Sequence, residues 1–292
     1  MKVVAGGRNY LEGPRWHDGR LWASDLYAYE VIAVSPDGVV EVVAEVPAQP
    51  SGLGWLPDGR LLVVSMKDRR LLRQEPSGEL VVHADLSGLT GWPINDMVVD
   101  GEGRAYVGGF GFDVMNLAPI EGSPLYRVDP DGTVTVWGED LKCPNGMAIT
   151  PDGRTLVVSE SFGGRMAGFD IGPDGALTNQ RAWADFGAPD TKDLVEYIGS
   201  GCVIPDGIAM DAEGAVWIAD ALAGRAIRVL PGGEIVDEVR HTMPVFACAL
   251  GGDDGRSLYL CSAPSFRDEE RKAAREAELV CTTVAVPHGG RP

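Results

Sequence analysis

Gly52-Leu53-Gly54-Trp55-Leu56-Pro57-Asp58-Gly59-Arg60-Leu61-Leu62 reads as an apolar strand, a tight turn and a second apolar strand. The turn glycine supplies the positive φ that such a hairpin needs. The same unit stands at Gly13-Pro14-Arg15-Trp16-His17-Asp18-Gly19-Arg20-Leu21-Trp22, and it returns at 96–106, 146–156, 207–217 and 248–259. A second hairpin follows each one, often with its own turn, as at Pro36-Asp37-Gly38, Pro76-Ser77-Gly78, Asp129-Pro130-Asp131-Gly132, Pro173-Asp174-Gly175 and Pro231-Gly232-Gly233. Four strands in a repeat of about 40 to 60 residues describe a propeller blade. Six units fill the chain, so the expected fold is an all-β, six-bladed β-propeller of four-stranded antiparallel blades, forming one domain over 1–292. A β-sandwich is the competing arrangement, but sandwiches rarely repeat one turn signature six times.

The 39 glycines and 20 prolines are spread along all 292 residues rather than gathered in a linker, which favours many short strands over two domains. A net charge of -18 argues against nucleic acid and against an anionic membrane face, since both would be repelled. Clustered carboxylates accommodate a cation more easily. Five cysteines, none in a CxxC pair, point to free thiols and a reducing compartment. No stretch approaches the roughly 20 apolar residues of a membrane helix, and the first residues show no cleavage-site pattern. The expected location is cytoplasmic.

Two stretches depart from the repeat. One is an insertion at 188–203. The other, 265–278, is rich in Ala, Glu, Arg and Lys and favours a short exposed helix. Loops of this length often cover binding sites, although a solvated surface excursion is the plainer reading of the charged one. The β-branched run at 279–286 is expected to finish a blade and to pair with N-terminal residues, closing the ring and removing an exposed edge.

Aligning the six hairpins on the turn glycine sets Glu12, Ser51, Asn95, Asn145, Asp206 and Ala247 in equivalent positions just before the first strand. Innermost strands line the central channel of a propeller, so these positions surround one axis. Four of the six carry side-chain oxygens, which are hard ligands suited to Ca²⁺, Mg²⁺ or Mn²⁺. Two carboxylates and two amides leave room for a water or a substrate oxygen. Taken singly, Asn-Gly and Asp-Gly are ordinary turn dipeptides; the shared register is what suggests a metal site. None of the four histidines (His17, His83, His241, His288) falls in this column, and no Gly-x-Ser-x-Gly elbow occurs, which disfavours a structural zinc or a Ser-His-Asp triad. Glu160 and Ser161 follow the second strand of blade four and are candidates to reach the channel, as is Cys143.

At Leu11-Glu12-Gly13-Pro14-Arg15-Trp16, Asn95-Asp96-Met97, Pro144-Asn145-Gly146-Met147-Ala148 and Pro205-Asp206-Gly207-Ile208-Ala209 the sequence resembles the senescence-marker-protein/gluconolactonase/luciferin-regenerating-enzyme-like family, which includes regucalcin-type lactonases. The resemblance spans nearly the whole chain. It implies a six-bladed propeller holding one divalent cation through Glu12, Asn145 and Asp206, with Asn95 near the metal or on the substrate. It also implies lactone hydrolysis, with Asp206 as the acid/base. Sugar lactonases that the chain resembles carry an arginine shortly before the Asn-Asp motif, whereas Gly91-Trp92-Pro93-Ile94-Asn95 has none. The loop that follows, with Phe110 and Phe112, is aromatic.

The expected function is therefore a metal-dependent lactonase or carboxylic ester hydrolase. Calcium is the first choice of ion, with Zn²⁺, Mn²⁺, Fe²⁺ and Mg²⁺ as alternatives. The expected substrate contacts are Asn95, Trp92, Phe110, Phe112 and Glu160. Two other readings stay open: a phosphotriester or fluorophosphate hydrolase on the same metal, and a non-catalytic binding propeller with a structural ion.

Overall fold

The computed structural model describes residues 1–290, except for the side chain of Glu139; Arg291 and Pro292, which end the expected domain, lie outside the described residues. Six four-stranded antiparallel sheets form the six blades of a β-propeller. Their inner strands are Leu11–His17, Pro50–Trp55, Ile94–Val99, Pro144–Ile149, Pro205–Met210 and Val245–Gly251. Five blades are built from consecutive strands. The sixth takes Val245–Gly251, Ser257–Ser262 and Ala277–Thr283 from the C-terminal part, and its outermost strand is Lys2–Arg8. The ring is thus closed by hydrogen bonds between the two ends of the chain, as expected, although the closing strand starts at Ala277 rather than 279.

Alternation along the strands sends apolar side chains into the spaces between blades, where they form separate packed clusters. One example is Tyr106, Leu125, Met147 and Leu156 between blades three and four. The largest cluster differs from these. It gathers Tyr10, Tyr27, Phe112, Tyr197, Ile204 and Phe246 from several blades at one face of the ring. The insertion at 188–203 contributes α1 (Leu194–Gly199), capped by Asp193, whose carboxylate accepts from the Val195 and Glu196 amides. The charged segment contributes α2 (Asp268–Ala273). That segment is no mere excursion. The Tyr27 hydroxyl donates to Asp268, and Asn9 Nδ2 donates to the Arg271 carbonyl at 2.9 Å, which seats α2 on blade one.

Candidate metal and substrate site

Each inner strand is irregular at one point. Pairing with the second strand breaks register between Glu12 and Arg15, Pro50 and Leu53, Ile94 and Met97, Pro144 and Met147, Pro205 and Ile208, and Val245 and Ala247. A bulge of this kind re-aims the side chains beside it. The second residue of each strand sits at the irregularity: Glu12, Ser51, Asn95, Asn145, Asp206 and Phe246. The sixth member is therefore Phe246, and Ala247 is displaced from the position expected for it. Phe246 stands nine residues before its turn glycine Gly255, whereas Ser51, Asn95, Asn145 and Asp206 stand eight before theirs. Strand pairing, which begins at Val245 opposite Ser262, decides the matter.

The glycine after four of these residues serves packing between strands. A Cβ on Gly146 would lie 2.5 Å from the Asp206 carbonyl oxygen, and one on Gly207 would lie 2.6 Å from the Ala247 Cβ. Adjacent inner strands can approach this closely only without side chains there. Asn145-Gly146 and Asp206-Gly207 are thus not turns; their glycines bring the two oxygen-bearing residues together.

Glu12, Asn95, Asn145 and Asp206 are all buried, and all four line one cavity of about 420 Å³. Asn145 Nδ2 donates to Ser161 Oγ at 3.2 Å, which leaves its carbonyl oxygen free of that bond. Ser161 Oγ donates in turn to the Pro205 carbonyl at 2.9 Å. Asn95 is held differently: its Oδ1 accepts from Ser51 Oγ at 2.9 Å, so its NH₂ group is the part left for a ligand. Asp206 Oδ1 is buried and, among the described residues, has no hydrogen-bond partner. Burial and the charge of Asp96 push the Asp206 carboxyl well above its usual range, against a lowering bond from Asn145. Burial, Asp206 and Asp96 do the same to Glu12, with only the Gly13 amide and Arg15 opposing. Among the described residues, neither carboxylate has a salt-bridge partner, and no group of three His, Cys, Asp or Glu side chains converges anywhere. A cation here would therefore need the amides as well as the two acids.

Two residues before each channel-facing side chain, just ahead of the inner strand, stands a second ring of residues. Tyr10, Gln49, Pro93, Cys143 and Ile204 from this ring line the cavity. Gln49 and Cys143 hold left-handed φ values of 79° and 58°, each just before a proline. Burial raises the Cys143 thiol pKa, so it stays protonated and packs rather than reacts. Beyond this ring, Trp92, Phe110, Phe112, Phe162 and Phe266 form the wall. Phe112 meets Phe162 edge-on at 5.6 Å, and Phe162 meets Tyr197, on α1, at 5.9 Å. Lys67, Arg69, Asp113 and Asp268 add a charged side to the same cavity. Lys67 and Arg69 do not belong to the repeat column, and nothing in their local sequence marked them.

The expected site residues Trp92, Phe110 and Phe112 lie on the cavity wall, but Glu160 does not. It is fully buried outside the cavity lining and is occupied by Arg165 at 2.6 Å and by the Lys142 amide at 2.9 Å. Its position at the end of the second strand aims it at the neighbouring loop instead of the channel.

The model of the SMP-30/gluconolactonase/LRE-like region matches residues 11–264. The chain belongs to this family. Among relatives, it is 27% identical over 268 residues to a 6-deoxy-6-sulfogluconolactonase of Pseudomonas putida, covering 90% of this chain and 86% of that one. It is 28% identical over 275 residues to a pentonolactonase of Haloferax volcanii, covering 90% and 84%. A solved structure of regucalcin from Agrobacterium tumefaciens, described as a calcium-binding protein, superposes with a TM-score of 0.80 at 21% identity, covering 100% and 96%. Within the SMP-30/gluconolactonase/LRE-like family, then, this chain presents its buried acid and amide oxygens beneath an aromatic wall.

Proposed function

We propose that the protein is a divalent-metal-dependent lactonase acting on lactones, or related carboxylic esters, that carry an apolar body. The observation that carries this reading is the pair Glu12 and Asp206. Two acids are buried together, one with an unpartnered oxygen, and among the described residues neither makes a salt bridge with an arginine or lysine. Such a pair is costly without a cation. The oxygen-only donor set of Glu12, Asp206 and Asn145 suits a hard ion, calcium first. The two curated relatives described above carry names that specify lactone hydrolysis, and membership of the family supports the same reaction here.

The chemistry a bound divalent ion supplies in such a site is polarisation of the scissile carbonyl and acidification of water. Asp206, with Oδ1 free, takes the proton of the attacking water and returns it to the leaving alkoxide. The Asn95 NH₂ group, its carbonyl held by Ser51, donates to substrate oxygen and fixes the ring. Tyr10, Ile204 and Phe246 keep bulk water from the acids, and Trp92, Phe110 and Phe112 hold the apolar body. The named relatives act on sugar lactones, whereas this cavity offers mainly aromatic wall with Arg69 and Lys67 at one side. A cavity of this size suits a single-ring substrate with a substituent. We take the chain as one domain and, with all five thiols free, place it in the cytoplasm. Among the described residues, no helix is long and apolar enough to cross a membrane.

The test is hydrolysis of aromatic, aliphatic and sugar lactones by EDTA-treated protein with each divalent ion restored singly. Activity should return with an ion and be highest on aromatic or aliphatic lactones. A preference for aldonolactones would overturn the substrate class, and ion binding without any lactone or ester turnover would overturn the reaction.

A further inference from the structure

The second strand of every blade ends opposite the residue that precedes the channel-facing side chain. The residues there are Asp25, Ser65, Gly109, Glu160, Asp220 and Ser262, paired with Leu11, Pro50, Ile94, Pro144, Pro205 and Val245. Three of the six are acids, and they occupy the three blades that carry Glu12, Asn145 and Asp206. All three are buried, at 0%, 0% and 2% exposure, far more than carboxylates ordinarily are.

Each acid does the same two things. It accepts backbone N–H groups from the segment leading into the inner strand: Asn9 and Tyr10 donate to Asp25 at 3.2 and 3.0 Å, Lys142 donates to Glu160 at 2.9 Å, and Ile204 donates to Asp220 at 3.1 Å. Each also accepts from an arginine Nε: Arg8 at 2.8 Å, Arg165 at 2.6 Å and Arg225 at 2.8 Å. In blades four and five the arginine stands five residues after its acid, directly across the second hairpin. In blade one that place is Glu30, and Arg8 from the N-terminal outermost strand of blade six reaches both acids.

The propeller itself does not require these acids. Blades two, three and six make the same junction with backbone bonds, from Met66 N to Gln49 O at 2.8 Å, Phe110 N to Pro93 O at 2.9 Å and Ala263 N to Pro244 O at 3.3 Å. Blades one, four and five make that backbone bond too, and add the acid. The extra bonds grip residues two or three positions upstream of the channel-facing side chain, where a charge-assisted bond to the main chain limits its drift most.

We propose that Asp25, Glu160 and Asp220, each with its arginine, are positioning residues that hold Glu12, Asn145 and Asp206 in the geometry a divalent ion needs. The proposal rests on the metal-site reading above. It separates Asn95 from the other three: its blade has Gly109 in place of an acid, in keeping with a side chain turned to substrate.

The test measures Ca²⁺ and Mn²⁺ affinity by calorimetry, with backbone amide exchange of the ion-free protein, in Glu160→Gln, Asp220→Asn and the milder Arg165→Gln and Arg165→Lys. Ser65→Ala and Ser262→Ala, at the same strand position in other blades, are the controls. Glutamine at 160 keeps one acceptor oxygen but turns an NH₂ group toward a guanidinium or an amide N–H, so one partner is lost. Ion affinity should fall about tenfold or more in the acid variants. Exchange should quicken at 142–146 or 204–207 in the matching blade, Arg165→Lys should recover affinity relative to Arg165→Gln, and the controls should stay near wild type. Acid and arginine variants that bind ions as tightly as the controls, while merely melting earlier, would overturn the proposal and leave the metal reading standing. Wild-type protein that binds neither ion would overturn both.

Discussion

Asp96 and Asp206 stand on inner strands of the same channel and are similarly buried, at 4% and 8% exposure, yet their charges are met in opposite ways. Asp96 Oδ1 accepts from Arg15 Nη2 and from the Met97 amide, both at 2.8 Å. Arg15 also donates to the Met97 and Pro14 carbonyls at 2.6 and 2.9 Å. Among the described residues, Asp206 and Glu12 have no such cation, and Asp206 Oδ1 has no hydrogen-bond partner. One layer is neutral by its own residues and serves as structure. The layer beside it carries two acids whose neutralisation is left to a proton or a bound ion. A buried charge left in this state marks a functional position more sharply than burial or sequence alone does.

The contrast breaks most visibly on catalysis. Asp206→Ala and Glu12→Ala should each lower metal-dependent kcat/KM by roughly 10³-fold or more, since loss of a Lewis-acid site removes several kcal/mol. Circular dichroism should show both variants folded. Ion-free Asp206→Ala that keeps full turnover would end the assignment. In the neighbouring layer the effect should be on stability. Arg15→Met, which strands Asp96 in a buried place, should cost about 3–5 kcal/mol in urea unfolding of the ion-free protein. A loss below about 1 kcal/mol would mean that the two layers are not electrostatically different.

A pH scan sharpens the same comparison. Because burial raises the Glu12 and Asp206 carboxyl pKa values in the ion-free fold, the native state binds more protons than the unfolded chain between the ordinary and the raised values. The stability that this pair contributes to the ion-free protein should therefore be full below the ordinary carboxyl values, under about pH 3.5, and should be lost as pH rises from there through the raised values. Saturating ion should remove the decline, because ligation keeps both acids ionised, and ion affinity should rise with pH. A melting temperature equally sensitive to pH with and without ion would contradict this. The smallest effect expected is at the rim. Trp92 is 39% exposed, so Trp92→Ala should raise KM for an aromatic lactone several-fold, roughly 1 kcal/mol, with kcat little changed. A matching fall in kcat would place Trp92 closer to the reacting atoms than the wall.

Much of the candidate site was legible in the sequence because the repeat converts distance along the chain into position around an axis. Glu12, Asn95, Asn145 and Asp206 share one offset from a turn glycine to within a residue, and the structure sets all four on one cavity. Glu160 was misread for a local reason. A carboxylate at the end of a strand beside the channel looks like a channel residue until its side chain is seen bonded to Arg165 and the Lys142 amide. Arg69 and Lys67 escaped notice because they lie outside the column, in the turn between the second and third strands of blade two.

By itself, the sequence determined the number of blades, the closure of the ring and the chemical character of the central oxygens, since turn glycines, strand alternation and ligand type are local properties that a sixfold repeat multiplies. Tertiary structure decided what depends on register. Phe246 takes the sixth channel position in place of Ala247 because the blade-six hairpin is one residue longer, and strand pairing rather than residue count sets which side chain a bulge turns inward. Tertiary structure alone also decided which buried acids are answered by an arginine and which are left facing a cavity: Arg15 meets Asp96 and Arg8 meets Asp25 from other blades, and even Arg165 and Arg225, five residues from their acids, meet them only once strand register is set.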